Sequence, residues 1–276
     1  MKKNNIIVHG LWIGSALSAI ELLCMQSFIE AGHTFYLWTY NKIDNLPERI
    51  QVKDANKIIP SNEIFTYTYS NKFGHGKGSY AGFSDIFRYK LLYEFGGWWT
   101  DMDITCLKPL VFEEEFIFRK NGQKGVVGNL MKCAAKSELM LYCYERAKQE
   151  VTAKNKNWML PISILNDGIS KFKLNKNITE ISNEDSWTLV SEYLIKDKII
   201  PENWYVFHWM NEEWRRVSLS KNIFIKDSAI EKLLTKHTIK HGILNNEEIK
   251  KLHWNIGVWN YRIINIKARL KWYLNL

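Results

Sequence analysis

The sequence predicts an α/β domain, a mostly parallel sheet with helices on both faces, and three stretches predict it. Residues 6–12, 15–31 and 34–40 read as apolar strand, amphipathic helix and second apolar strand, a β-α-β opening. From Ser84 the chain runs as a helix into Gly96-Gly97, then into Trp98-Trp99-Thr100-Asp101-Met102-Asp103, an aromatic strand ending in two carboxylates. Residues 204–208 form an apolar strand that enters His208-Trp209-Met210-Asn211-Glu212-Glu213-Trp214.

In the opening unit, His9 and Glu21 interrupt the apolar run that would otherwise compete as a secretory signal behind Lys2-Lys3. Gly74-His75-Gly76-Lys77-Gly78 lacks the spacing of a P-loop and reads as a mobile loop beside the site rather than a phosphate cradle. At 100° per residue, Lys90 and Glu94 share one side of the following helix, while Asp85 and Arg88 point the other way among Ile86, Tyr89 and Leu92. A surface i,i+3 ion pair would be the ordinary reading and is worth little. With the exposed side already claimed, the pair reads as functional. Gly96-Gly97 ends the helix, because glycine takes a left-handed cap without steric cost. Strand alternation then sends Asp101 and Asp103 to one side. Residues 125–131 read as a strand, 137–150 and 161–172 as helices, and 155–157 as a loop; repeats and low-complexity tracts are absent.

Two carboxylates one strand period apart repel unless a cation lies between them. Hard divalent ions such as Mg²⁺ or Mn²⁺ accept such oxygens and keep positions open for a diphosphate. A lone D-x-D is common in loops, but D-x-x-R, helix, G-G, aromatic and D-x-D in one unit is far more specific. That unit, on Asp85, Arg88, Gly96, Gly97, Trp99, Asp101 and Asp103, resembles the D-x-D sugar-binding region of glycosyltransferase family 32 and its relatives, including the catalytic domain of clostridial glucosylating toxins. The resemblance implies a GT-A type domain in which Asp85 and Arg88 hold donor-sugar hydroxyls, Asp101 touches ribose and sugar, and Asp103 binds the metal. Asp85, Arg88 and Asp101 are then the catalytic candidates. Where the family often has tyrosine, this chain has Trp99, still a donor-contacting candidate but without the hydroxyl.

The first strand, ending Leu11-Trp12-Ile13-Gly14, is similar to the family's opening W-I-G. It implies that Leu11 and Trp12 contact the donor, the indole packing on the base; Trp12 as a plain core residue is the open alternative. Asn129 stands where relatives carry a donor-contacting asparagine, with a strand-end turn residue as its alternative. The H-W-x-N-x-x-W segment resembles the H-x-W stretch that closes the domain in related enzymes, which implies His208 as a third metal ligand beside Asp101 and Asp103, against an ordinary core histidine. Trp209, with Trp214, reads as a lid over the donor.

Over about residues 5–215 the resemblance implies metal-dependent transfer of a hexose or N-acetylhexosamine from a UDP- or GDP-sugar to a hydroxyl. It implies retention, with the leaving diphosphate helping to take the acceptor proton. By analogy the acceptor is a surface glycan, such as a capsule or lipopolysaccharide unit, lipid-linked or free; a protein acceptor, as in the toxins, is the alternative. A sugar-binding module or nucleotide-sugar hydrolase on the same fold is a third reading.

Length suits one catalytic domain over 1–215 with a basic, aromatic-rich helical extension over 216–276. The net charge of +9 lies wholly in residues 215–276, which carry thirteen Lys and Arg against four Asp and Glu. This weakens a nucleic-acid-binding reading, which needs basic residues spread along a groove. The four cysteines, at 24, 106, 133 and 143, show no C-x-x-C spacing and read as reduced core thiols, which points to the cytoplasm. In the tail, Trp259, Ile263, Ile266, Leu270 and Leu274 follow helical spacing among Arg262, Lys267, Arg269 and Lys271. That pattern fits either peripheral attachment to an anionic surface, such as the inner face of the plasma membrane, or a terminal helix packed on the core.

Overall fold

The computed structural model describes residues 7–122 and 125–274; Lys2, Lys3 and Ile6 lie outside them. In chain order come β1 (Ile7–Trp12), α1 (Ala19–Glu30), β2 (Thr34–Thr39), β3 (Gln51–Asp54), α2 (Ala81–Phe95), β4 (Gly97–Thr100), β5 (Ile104–Cys106), β6 (Ile117–Asn121) and β7 (Gly125–Cys133). Next are α3 (Glu138–Glu150), α4 (Leu160–Lys171), β8 (Ile178–Thr179), α5 (Trp187–Ile195), β9 (Val206–His208) and α6 (Asn211–Arg216). The last five are β10 (Ile223–Phe224), α7 (Ala229–Lys236), β11 (Gly242–Ile243), α8 (Asn246–Ile256) and α9 (Val258–Tyr273).

Seven strands form the central sheet in the order β3-β2-β1-β4-β7-β6-β8. Strands β3, β2, β1 and β4 run parallel, β7 is antiparallel to β4 and β6, and β8 is parallel to β6. The expected α/β architecture with a mostly parallel sheet is what the chain adopts. The strand order reverses between the parallel neighbours β1 and β4, with β2 and β3 on one side and β7 on the other, and the C-terminal ends of the two strands open on one edge there. Such a reversal is where open α/β sheets form a crevice.

Local chemistry fixes the elements around that edge. Helix α1 starts at a capping box between Ser18 and Glu21. Helix α2 stops at Gly96, whose φ is 63° and where a Cβ would lie 2.5 Å from the Ala135 amide nitrogen, so only glycine fits. Strand β4 sends Trp98 into the core shared with α1, and Trp99 into the core shared with α2, α3 and α4. The four cysteines are buried and unpaired.

A third core joins Ala19, Ile20 and Leu23 of α1 to Trp187 and Val190 of α5, to Trp209 and Trp214, and to Ile230 and Leu234 of α7. Part of the 216–276 segment is therefore built into the same core as the β-α-β opening. Glycine loop 74–78, expected to be mobile, is tied to α6. His75 Nε2 lies 2.8 Å from Glu213 Oε1, the Gly76 amide donates to Glu212 Oε1 at 2.9 Å, and Arg215 donates to the Lys77 carbonyl at 2.8 Å.

Candidate functional site

Asp101 and Asp103 do not lie on a strand: β4 ends at Thr100 and β5 begins at Ile104, so both sit on the turn between them. Strand alternation therefore does not place them on one side, as the sequence led us to expect. The chain leaves the central sheet here because β5 pairs antiparallel with β9, setting Ile104 opposite His208. One carboxylate stays with the sheet and α2, and the other turns to β9 and α6.

Asp101 Oδ1 accepts from Trp99 Nε1 at 2.8 Å and lies 3.1 Å from Arg88 Nη2. Asp103 Oδ2 accepts from the Asn211 amide at 2.6 Å and lies 3.2 Å from His208 Nε2. Just before Asn211, Met210 takes a left-handed φ of 58°, a conformation uncommon for a residue with a side chain. That kink starts α6 and presents the Asn211 amide to Asp103.

Arg88 is buried between two carboxylates, with Asp85 Oδ1 and Asp101 Oδ1 each 3.1 Å from Nη2, and its guanidinium stands 5.3 Å from the Trp99 ring centre. Gly128 on β7 makes the room, since a Cβ there would come within 2.7 Å of Arg88 Nη1. Arg88 Nε is buried without a hydrogen-bond partner among the described residues. Burial disfavours the guanidinium, but Asp101 and Asp85 outweigh it and raise its affinity for the proton. Asp85 is pushed up to about 6 by burial, with Asp101 adding to the effect and Arg88 opposing it. Asp101 is raised as well, again chiefly by burial and against Arg88. Arg88 thus serves two carboxylates that it does not fully satisfy.

On the other side, His208 sits between Asp103 and Asp185, with Nδ1 2.7 Å from Asp185 Oδ1. Burial disfavours its charged form, but the two carboxylates dominate and lift it to about 9, so the ring is an imidazolium at neutral pH. It holds Asp103 and Asp185 below the ordinary carboxylate range, despite their burial. Fully buried Arg119 closes the row. It reaches Asp185 Oδ1 at 2.7 Å, the Asn183 carbonyl at 2.6 Å and Asn129 Oδ1 at 3.2 Å. Asn183 Oδ1 in turn accepts from the His208 amide at 2.8 Å. Arg119, Asn183 and Asp185 went unrecognised in the sequence, where 66 residues separate Arg119 from Asp185 and no spacing pattern joins them to His208.

Of the expected site residues, Asp85, Arg88, Trp99 and Asp101 meet in one group, and Asp103, Asn129 and His208 in the other. Trp12 is half-buried at the end of β1; its Nε1 donates to the Ala16 carbonyl at 3.1 Å, and Lys221 Nζ lies 5.6 Å from its ring centre. Lys221 also helps to hold Asp103 low, which brings this group toward the carboxylates. Three expectations need correction. Leu11 is buried in the core shared with α2, because alternation along β1 sends it to the sheet face opposite Trp12. Trp99 is 1% exposed and positions Asp101 instead of facing a ligand. Trp209 and Trp214 form no lid: both are packed in the third core, with Trp209 Nε1 donating to Thr105 Oγ1 at 2.8 Å.

Among the described residues, no group of three or more His, Cys, Asp and Glu side chains is already arranged around a cation position. The donor chemistry nevertheless fits a hard divalent ion. The contacts of Asp101 run through Oδ1 and those of Asp103 through Oδ2, so each carboxylate keeps its second oxygen available. His208 can join them only after losing a proton, because an imidazolium has no lone pair to give.

Residues 21–122 match the family model described as a glycosyltransferase sugar-binding region containing a DXD motif, and this span contains every member of the D-x-x-R to D-x-D unit. A comparison with curated proteins found no match. Among solved structures, the chain is similar to PaToxG glycosyltransferase, with 11% identity over 94% of this chain and 85% of that one, at a TM-score of 0.45. It is similar to the apo form of the glycosyltransferase GlyE of Streptococcus pneumoniae TIGR4, with 12% identity over 94% of this chain and 64% of that one, at 0.44. It is also similar to the apo structure of the bifunctional enzyme WbbM, with 11% identity over 97% of this chain and 52% of that one, at 0.45. At these scores the likeness is loose, and the chain spans only part of the last two proteins.

Proposed function

We propose, from the premise that residues 21–122 are a glycosyltransferase sugar-binding region, that the protein moves a hexose or N-acetylhexosamine from a UDP- or GDP-sugar to a hydroxyl of a glycan, with retention. The observation that carries the reading is Arg88, a buried guanidinium between Asp85 and Asp101 with Nε unpartnered. A buried polar group without a partner costs about 1–3 kcal/mol, and of the described side-chain donors left this way Arg88 Nε is the one set between two carboxylates of the D-x-x-R to D-x-D unit. A sugar hydroxyl or phosphate oxygen would satisfy it, and the planar fork suits two oxygens at once. Asp85 accepts from donor-sugar hydroxyls, and Trp99 holds Asp101 beside Arg88 through its indole N–H. Trp12 offers its indole to the base, with Lys221, which is ion-paired with buried Glu21, near its ring.

Mn²⁺ or Mg²⁺ would be held by Asp101 and Asp103 through their second oxygens, joined by His208 once deprotonated. When bound, such an ion supplies positive charge for the departing diphosphate. Arg88 contributes the same kind of stabilisation from the protein, the largest single effect available to a site of this type. The acceptor in this reading is a surface glycan, capsule or lipopolysaccharide, and the transfer takes place in the cytoplasm. We keep residues 1–215 as the catalytic part and 216–276 as an extension, a division of role, because α7 shares a core with α1.

The test is a screen of the purified protein against a panel of nucleotide sugars with Mn²⁺, scored for binding, slow hydrolysis and transfer. Asp101→Ala and Asp103→Asn are expected to cut transfer at least about 10²–10³-fold. EDTA should abolish it and Mn²⁺ restore it. Full turnover in EDTA would remove the metal from the scheme, and absence of binding to every nucleotide sugar would remove the transferase reading.

A further inference from the structure

Helix α9 carries two apolar faces, and only one of them has a partner in the protein. Tyr261 and Ile264 pack against the third core, while Arg216 donates to Asn265 Oδ1 at 2.6 Å. At 100° per residue these positions fall on one side of the helix. Trp259, Ile263, Ile266, Leu270 and Leu274 fall on the opposite side, and all are exposed, from 39% for Ile263 to 71% for Trp259. Trp254, just before this helix, is 61% exposed. Half of the exposed large apolar side chains among the described residues belong to this one segment.

The charges are placed to match. Arg262 and Arg269 border the exposed stripe on one side and Lys267 and Lys271 on the other; all four are exposed, and no acidic residue lies between Trp254 and Leu274. If the helix served only to cap the core, its apolar residues would point inward and its outer face would be polar. An outward stripe with cations on both edges matches an interface where acyl chains meet anionic headgroups. The indole of Trp259 suits that boundary, and basic side chains of this length reach back to the headgroups. Among the described residues no helix is long and apolar enough to cross a membrane.

We propose that α9 is a membrane-surface anchor that lays Trp259, Ile263, Ile266, Leu270 and Leu274 into the interface of an anionic lipid bilayer. The anchor is tied to the candidate site through side chains. Arg216 joins Asn265 of α9 to Glu213 of α6 at 2.6 Å each, and α6 begins at Asn211, whose amide holds Asp103. A lipid-linked acceptor and the carboxylates would thereby be kept at one surface, although anchoring itself does not depend on glycosyl transfer.

The full chain is to be sedimented with vesicles of phosphatidylcholine alone and with vesicles containing phosphatidylglycerol. Binding is expected only to the anionic vesicles and should be released by high salt. Ile266→Asp with Leu270→Asp, two exposed positions, should abolish binding, and Lys267→Glu with Lys271→Glu should weaken it at least roughly tenfold. Circular dichroism and nucleotide-sugar binding should stay unchanged in both variants. Equal binding to neutral vesicles, retention by the double aspartate variant, or no binding to either vesicle would overturn the proposal. So would a concentration-dependent dimer that Ile266→Asp dissolves, which would assign the stripe to a second copy of the chain. Loss of nucleotide-sugar binding without change in vesicle binding would count against the transferase reading only.

Discussion

Helices α2 and α9 each break the ordinary rule for an amphipathic helix, in opposite directions. Helix α2 carries Asp85 and Arg88 on an inward face, with Arg88 5% exposed. Helix α9 turns five large apolar side chains outward. Burying charge and exposing hydrocarbon are both unfavourable for folding; the two carboxylates beside Arg88 leave its Nε unpartnered, and the outward stripe of α9 stays exposed among the described residues. The difference is in what would relieve the cost: a polar ligand with several oxygens for α2, an extended apolar surface with negative charge for α9. Departures from patterning mark where the protein meets something else, and their sign indicates its chemistry.

The sharpest way to break the comparison is at Arg88. Arg88→Lys keeps the charge but loses the planar fork, and should lower kcat about 10²-fold in a transfer assay with little change in fold. Unchanged kinetics would reduce α2 to a structural ion pair.

Asp85 separates function from stability by sign. Its folded value of about 6 is above its ordinary value, so the folded state holds that proton more tightly. Its effect is absent below about pH 4, and it lowers stability as pH rises through 6, remaining as a cost at pH 7. Asp85→Asn should therefore gain on the order of 1 kcal/mol at pH 7, flatten the melting temperature between pH 4 and 6, and still lose activity. A salt bridge valued for stability would show the reverse, a modest loss of stability with normal rates.

The two members of D-x-D should differ in the same kind of assay. Asp101 is raised and Asp103 lowered, so Asp101→Ala, in which relief of a buried carboxylate offsets the stranding of Trp99 Nε1, should lose less stability in denaturant melts than Asp103→Ala, which should cost about 1–3 kcal/mol by stranding the Asn211 amide and one side of the His208 imidazolium.

For α9, Ile264→Asp and Ile266→Asp set its two faces against each other. The inner substitution should destabilise by about 2 kcal/mol or more, and the outer by less than about 0.5 kcal/mol. Equal losses would mean that the outer stripe belongs to the core.

Much of this was legible in the residues. The stop at Gly96-Gly97, the apolar strands and the helices at 138–150 and 160–171 obey local rules of steric permission and periodicity, so short windows of sequence reveal them, whereas α1 begins at its Ser18 cap and not at Ser15. The pairing of Asp85 with Arg88 was legible for the same reason, because three residues of helix set it. Trp209 was misread because an aromatic run looks the same whether it covers a ligand or fills a core.

What the sequence determined by itself is the set of elements and the chemistry of the motif: β-α-β, a helix with one charged inward pair, a glycine stop and two carboxylates. Tertiary structure decided how those carboxylates are used. The departure of β5 to pair with β9 puts Asp103 beside His208, and the packing of 182–185 against β6 brings in Arg119 and Asp185. It also decided which side of α9 faces out, since helical spacing fixes which residues share a face but not whether a core or a solvent lies against it. Contacts between residues far apart in the chain depend on how whole elements pack, and no local pattern encodes them.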